Sequence, residues 1–225
     1  MFTLNKCLVK SCPNNAVSII DENGEIVDTK TYCIDHIPNP EKIQVAIYNY
    51  IKEHDVITGL NACGISFRNI DISNKRFYGC NFMRCTFSKI HMEDCRIAMT
   101  IFDFSFLNDC MFLNSTIHFS SFANCNFTHT LFNDGEIIQS NFNQIQAVQS
   151  SFDNSNLYDS RFLCANLENT SFRNCNLKKA NFCNSNFENV SFKMSNTNVA
   201  VFDAAGSALF VDLEGRETEL EVLQL

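Results

Sequence analysis

From Phe67 to Phe202, apolar residues recur at a fixed spacing of five positions, with Thr197 as the exception. This spacing constrains the fold more than any other feature. The series has 28 members without an insertion or deletion, and 17 of them are Phe. Only Ala147 and Thr197 are not large and apolar. A period of five matches neither the 3.6-residue period of a helix nor the two-residue period of a strand. The sequence therefore predicts a chain that turns a corner after every five residues.

A second, small residue precedes most of these large residues by two positions. Several of the small residues are cysteines, namely Cys80, Cys85, Cys95, Cys110, Cys125 and Cys175. The exceptions are Ile65, Ile70, Lys75, Ile90 and Ile145. Ile145 stands in the same unit as Ala147, so the small site is larger where the large site is smaller. This compensation in volume predicts that both sites point into one packed interior.

A longer period of 20 residues lies on top of the first. Phe recurs at this interval without exception, at Phe82, Phe102, Phe122, Phe142, Phe162, Phe182 and Phe202. Four five-residue units per coil would place these rings above one another. The 28 units then predict seven coils, and at ~4.8 Å between strands the stack would be roughly 34 Å tall.

The units Ala165–Asn169 and Ala180–Asn184 have the order small, polar, large apolar and two variable residues. The run from about residue 65 to 204 resembles the pentapeptide-repeat family. The resemblance implies a right-handed, four-sided β-helix with the large and small residues inside. We therefore expect a mainly β fold in three parts: a small α+β module at 1–60, the β-helix at 61–205 and an acidic cap or dimerisation segment at 206–225. The alternating apolar residues of the last part predict a hairpin.

The amino-terminal part combines metal-ligand residues with hairpin and helix signals. Cys7 and Cys12 precede an Asn23-Gly24 turn, and Cys33 and His36 follow it. This arrangement resembles a treble-clef zinc finger, and a Cys3His set would close a tetrahedral structural zinc site. The alternative is four unrelated reduced side chains. Such a short module has little core, which makes a metal physically sensible.

A helix is predicted from about residue 40 to 54. Asn39 suits the cap position and Pro40 suits the first helical position. One face of the helix would carry apolar and aromatic residues, namely Ile43, Ile47, Tyr50, Ile51 and His54.

No catalytic motif is evident in the sequence, so we expect neither an enzyme nor a small-molecule substrate. His91, His118 and His129 fall on different faces of the predicted coils and would not converge. No apolar run approaches the ~20 residues needed to cross a bilayer. Twelve cysteines suit a reducing compartment, which favours the cytoplasm.

One coil has unusually apolar outward positions, namely Met99, Ile101, Phe104, Phe106, Met111, Leu113 and Phe119. Two interpretations stay open. The predicted helix or the tail could cover these residues, or they could bind a protein partner or a second copy of the chain.

Two functions follow from these features. The first is a non-catalytic protein-interaction scaffold or adaptor with an unidentified protein partner. The second comes from the resemblance, because some pentapeptide-repeat proteins mimic DNA and bind gyrase. Such mimicry needs a strongly negative rod, whereas residues 61–205 carry 12 acidic and 11 basic residues. The chain's net charge of −8 also disfavours nucleic-acid binding.

Overall fold

A computed structural model describes residues 5–27 and 30–203. The first element is an antiparallel hairpin of β1 (Ile19–Ile20) and β2 (Ile26–Val27). The Asp21 carboxylate accepts the backbone N–H groups of Asn23 and Glu25, both at 2.9 Å. Gly24 has a φ of 81°, which glycine adopts without a steric cost. The predicted Asn23-Gly24 turn is confirmed.

Helix α1 spans Pro40–Glu53, with Pro40 in the first turn as predicted. Asn39 is the N-cap residue as predicted, but its backbone is left-handed (φ 54°) and its side chain makes no capping hydrogen bond. Ile47, Tyr50 and Ile51 are buried on the predicted face.

The rest of the described chain is a β-solenoid of about seven turns, built from short parallel rungs 20 residues apart. Wall A contains β3 (Val56–Thr58), β5 (Arg76–Tyr78), β7 (Arg96–Ala98), β9 (Thr116–His118) and β11 (Glu136–Ile138). Wall C contains β4 (Ser66–Asp71), β6 (Thr86–His91), β8 (Phe106–Asn108), β10 (Asn126–Thr128), β12 (Gln146–Val148), β13 (Asn166–Glu168) and β14 (Asn186–Glu188). Single bridges form the other two walls. We call wall B the series through Asn81, Ile101, Ser121 and Asn141, and wall D the series through His91, Met111, Leu131 and Ser151.

Each corner of the solenoid is a residue with left-handed backbone. These residues recur every five positions from Gly59 to Val199, and many are Asn or Asp, such as Asn74 (φ 62°) and Asp94 (φ 54°). Asn and Asp visit this conformation more readily than other non-glycine residues. The five-residue period thus reflects one left-handed corner per unit.

The interior consists of aromatic columns that run along the solenoid. The rings of Phe142 and Phe162 are stacked, with centroids 4.9 Å apart and planes 7° apart. Rings of neighbouring columns meet edge to face, as Phe152 and Phe162 do at 5.6 Å and 88°. The predicted vertical stacking is confirmed, and both geometries are favourable for aromatic pairs.

The small inward residues also form hydrogen bonds between coils. The Ser105 hydroxyl donates to the Phe82 carbonyl at 2.8 Å and accepts the N–H of Cys85 at 3.0 Å. The Cys125 thiol donates to the Phe102 carbonyl at 3.0 Å. Ser and Cys are therefore compatible with the interior because their polar atoms are paired.

Helix α1 covers the amino-terminal end of the solenoid. The Tyr48 hydroxyl donates to the Ser66 carbonyl at 3.2 Å and accepts the N–H of Arg68 at 2.7 Å, and its ring meets Phe67 edge to face. The first rung lies at Val56–Thr58, ahead of Phe67. By covering this end, the helix shields a strand edge whose unpaired N–H and C=O groups could otherwise pair with other chains.

Lys75, an exception to the small-residue pattern, also ties α1 to the solenoid. Its side chain is largely buried, and its ammonium donates to the carbonyls of Lys52 and His54 at 3.1 and 2.9 Å. These carbonyls lie at the carboxyl end of α1, where a cation is favourable.

None of the helices in the described residues has the length and apolar character needed to cross a lipid bilayer. The predicted hairpin at 206–225 lies outside the described residues.

We expect Phe142→Ala to lower the free energy of unfolding by roughly 3–5 kcal/mol, because it removes a fully buried ring and leaves a cavity in the column. Chemical denaturation followed by circular dichroism measures the change. Met194→Ala is the matched control, since Met194 is 78% exposed. Equal effects of the two substitutions would contradict the packed interior.

Candidate functional site

Four potential metal ligands meet in the amino-terminal module. One ligand atom from each of Cys7, Cys12, Cys33 and His36 lies within 4.8 Å of all the others. Nδ1 of His36 is 3.5 Å from Sγ of Cys7 and 3.3 Å from Sγ of Cys33. Sγ of Cys12 is 3.9 Å from Sγ of Cys33. The structure thus brings together all four residues that the sequence indicated.

Two tight turns present these side chains. In the first turn, the N–H of Cys12 donates to the Val9 carbonyl at 3.1 Å. In the second turn, the N–H of His36 donates to the Cys33 carbonyl at 3.0 Å, four residues before Pro40 begins α1. The turns are tied by the N–H of Leu8, which donates to the Thr31 carbonyl at 3.1 Å. Backbone pairing therefore brings together ligands that are up to 29 residues apart.

The electrostatics of the cluster favour thiolate at Cys7. Burial opposes its ionisation, but backbone hydrogen bonds to Cys33 and Val9 and the His36 side chain together lower the pKa of Cys7 to about 6. Burial raises the pKa of Cys33. Thiolates are the form of cysteine that binds metal ions.

The distances fit a tetrahedral ion. Zinc with bonds of ~2.3 Å to sulfur and ~2.0 Å to nitrogen needs about 3.8 Å between two sulfurs and about 3.5 Å between sulfur and nitrogen. The measured separations of 3.9, 3.5 and 3.3 Å lie close to these values. The cluster could therefore hold a metal ion with four protein ligands.

The inward cysteines of the solenoid have a different environment. Burial raises the pKa of Cys110 to about 11 and that of Cys175 to about 12. Such thiols stay protonated at neutral pH and are poor nucleophiles or metal ligands. They serve as packed, hydrogen-bonded residues.

The amino-terminal segment that carries the four potential ligands, here called the metal module, packs on the first coil through a close backbone contact. Ser18 and Asn61 exchange two hydrogen bonds, from the N–H of Ser18 to the Asn61 carbonyl and from the N–H of Asn61 to the Ser18 hydroxyl. Gly64 faces Ile34, and a Cβ on Gly64 would lie 2.8 Å from the Ile34 Cγ2. The guanidinium of Arg84 hydrogen-bonds the Asn14 side chain. Sequence reasoning missed this contact, because only the φ of +80° at Gly64 distinguishes the position.

The outward apolar residues do not form one group. Ile101 lies on wall B, and Met99 and Phe119 share the corner between walls A and B. Phe104 lies at the corner between walls B and C, and Phe106 follows it at the start of β8 on wall C. We call these five residues the wall B surface. Met111 and Leu113 lie on wall D, on the opposite side of the solenoid.

The wall B surface is solvent-exposed in the described chain. Met99, Phe106 and Phe119 are 57–60% exposed, and Phe104 is 48% exposed. Helix α1 contacts the first coil at Tyr48 and does not cover these residues, so the interpretation that it does is wrong. The tail, the other candidate cover, lies outside the described residues.

The corner residues of this surface also have an unfavourable backbone. Met99, Phe104 and Phe119 have φ values of 52°, 61° and 51°. Left-handed backbone costs ordinary residues roughly 1–2 kcal/mol, and Asn or Asp pays less. Because these side chains are exposed, the single chain gains little free energy of apolar burial to offset this backbone cost.

The histidines of the solenoid lie apart, as predicted. His91 lies 3.2 Å from Glu93, His118 lies 2.9 Å from Glu136, and His129 lies beside Asp109 on a corner. They form separate surface pairs.

A sequence profile of the family "Pentapeptide repeats" matches residues 150–189 and 165–196, with eight copies of the repeat. The chain therefore contains pentapeptide repeats. The profile and the 20-residue register of the walls describe the same units. No curated protein matches the sequence.

Solved structures that match the chain include proteins described as pentapeptide-repeat proteins. A trypsin-treated form of QnrB1, a plasmid-mediated fluoroquinolone resistance protein, is 16% identical and has a TM-score of 0.47, covering 73% of this chain and 97% of its own. Rfr23 from the cyanobacterium Cyanothece 51142 is 12% identical, with a TM-score of 0.35 and coverage of 70% and 97%. HetL from the cyanobacterium Nostoc sp. strain PCC 7120, involved in heterocyst differentiation regulation, is 10% identical, with a TM-score of 0.30 and coverage of 69% and 94%.

We expect Gly64→Ala to loosen the metal module from the first coil, because the added methyl group would clash with Ile34. Hydrogen exchange of the module's amides measures the loosening. Gly24→Ala is the matched control, since Gly24 has the same positive φ but no atom within 4 Å of an added Cβ. Ile34→Ala in the Gly64→Ala background should restore protection, and a failure to do so would contradict the clash.

Proposed function

We propose that this pentapeptide-repeat protein is a non-catalytic interaction scaffold that binds another protein chain through the wall B surface. The observation that carries the proposal is the combination of exposure and left-handed backbone at Met99, Phe104 and Phe119. Both features are costs to the single chain, and contact with a partner would offset them. The solenoid holds these side chains on a rigid wall, so little ordering entropy opposes binding.

We further propose that Cys7, Cys12, Cys33 and His36 hold a structural zinc ion. The ligand set and spacing support this assignment, and four protein ligands leave no open coordination position. The ion would stabilise a module that has little apolar core of its own. A reducing compartment such as the cytoplasm suits these thiolate ligands.

The DNA-mimic alternative receives less support. A polyanion mimic needs a strongly negative surface, whereas residues 61–205 carry nearly equal numbers of acidic and basic side chains. The wall B surface is also apolar rather than acidic.

The zinc assignment predicts about one zinc per chain in the purified protein. Cys33→Ser should lose the metal and lower the protection of the module's amides from hydrogen exchange, because a structural site contributes directly to folding. Elemental analysis and hydrogen exchange measure both effects. Cys164→Ser is the matched control, since Cys164 is exposed and far from the cluster in sequence. Metal-free wild-type protein with a protected module would contradict the assignment.

The scaffold proposal is tested by photo-crosslinking in cells. Benzoylphenylalanine at position 104 should give a discrete covalent adduct with a protein chain, identified by mass spectrometry. The same residue at position 194 is the control, because Met194 is also exposed but lies outside the wall B surface. The adduct should disappear when Phe119→Asn is added. The absence of any protein adduct at position 104 would contradict the proposal.

A further inference from the structure

We infer that the partner of the wall B surface is a second copy of this chain, related to the first by a two-fold axis that lies in the interface plane and runs along the solenoid. This inference rests on the proposed scaffold function and names its partner. It follows from the charge, the shape and the size of the surface.

The charge of the surface permits self-association. Residues 99–106 and 119–126 form wall B and its corners in two successive coils, and Asp103 is their only charged residue. One carboxylate oxygen of Asp103 accepts the Ser121 hydroxyl and the N–H of Ala123 at 2.9 Å, so it is already paired within the chain. In a two-fold interface the same patch meets itself, and any charge would face its own copy. A single carboxylate, held by hydrogen bonds within its own chain, keeps this repulsion small, although the chain carries a net charge of −8.

A heterologous partner would more commonly be selected by complementary charge. The wall B surface offers no such charge. The lack of charge on these five apolar residues therefore favours an identical surface over an oppositely charged one.

The shape of the surface is self-complementary. Met99 and Phe119 form one ridge at the corner with wall A, and Phe104 forms the other at the corner with wall C, next to Phe106 at the start of β8. The floor between the ridges carries Ile101 and the small residues Ser121 and Ala123. The proposed axis exchanges the two corners, so each ridge of one copy lies against the opposite ridge or the floor of the other.

The size of the surface fits the centre of a dimer interface. A Phe side chain has ~150–250 Å², so four half-exposed side chains of this kind present roughly 400 Å² of apolar area. A standard interface buries about 800 Å² per partner, with an apolar centre and a polar rim. The surface would supply the centre, and the Asn and Ser residues of the neighbouring coils would supply the rim.

Size-exclusion chromatography with light scattering tests the inference. The full-length wild type should have twice the chain mass of 25.6 kDa. Phe104→Asn with Phe119→Asn should have the mass of one chain. Asn is the residue at the same corner one coil above Phe104, at Asn124, so the variant should keep its fold and its far-UV circular dichroism.

Met194→Asn is the matched control. Met194 is also an exposed left-handed corner residue (φ 65°), but it lies at the other end of the solenoid, and its variant should remain a dimer. Met99→Asn alone should weaken the dimer, which provides a second variant if the double substitution does not fold.

A wild type that stays monomeric on concentration, or a folded Phe104→Asn, Phe119→Asn variant that stays dimeric, would overturn the inference. The scaffold proposal fails separately. A monomeric wild type that still crosslinks another protein from position 104 would remove the dimer and retain the scaffold, and the absence of any adduct would remove both.

Discussion

The register of identical side chains from coil to coil is the constraint on which the structure depends. Parallel backbone pairing does not itself distinguish one register from another, because every residue offers the same N–H and C=O groups. The aromatic columns make this distinction. A shift of five residues would place Phe142 above an aliphatic or differently oriented residue and would break the 4.9 Å stacking with Phe162. A shift of one residue would expose every inward side chain. The absence of any insertion over 28 units follows from this requirement.

Features that depend on local spacing could be predicted from the sequence. The five-residue corner, the four-unit coil, the Asn23-Gly24 hairpin and the ligand set of Cys7, Cys12, Cys33 and His36 are all of this kind. Features that depend on distant segments could not. Lys75 breaks the small-residue pattern, but its reason is the carboxyl end of α1, more than 20 residues away. Gly64 has no sequence signal that indicates Ile34 as its neighbour. The separation of Met111 from Ile101 could have been predicted, because their positions differ by ten residues, which is half of the 20-residue period.

The corners of the solenoid show how one backbone geometry constrains surface chemistry. Asn and Asp suit the left-handed corner, and their polar side chains are well hydrated at the surface. Stability and solubility therefore favour the same residues there. Met99, Phe104 and Phe119 oppose both preferences in two successive coils. A single exposed Phe would be unremarkable for a folded protein, since much of any surface is apolar. Three disfavoured residues around one wall are instead the observation on which the proposed partner contact rests.

The cluster of four potential metal ligands is connected through the backbone to the covered end of the solenoid. The second ligand turn at Cys33 and His36 leads directly into α1, whose Tyr48 and carboxyl end are fixed to the first coil. A solenoid needs its terminal coil covered, and here the cover is a helix that follows the ligand turn. The hairpin side of the module is fixed to the same coil through Ser18 and Asn61. An ion bound by the four ligands would therefore join both attachments, because its ligands belong to the segments on either side of the hairpin. Binding of such an ion and coverage of the first coil would in this sense be one folding event, whereas the aromatic columns beyond the first coils depend only on their neighbours.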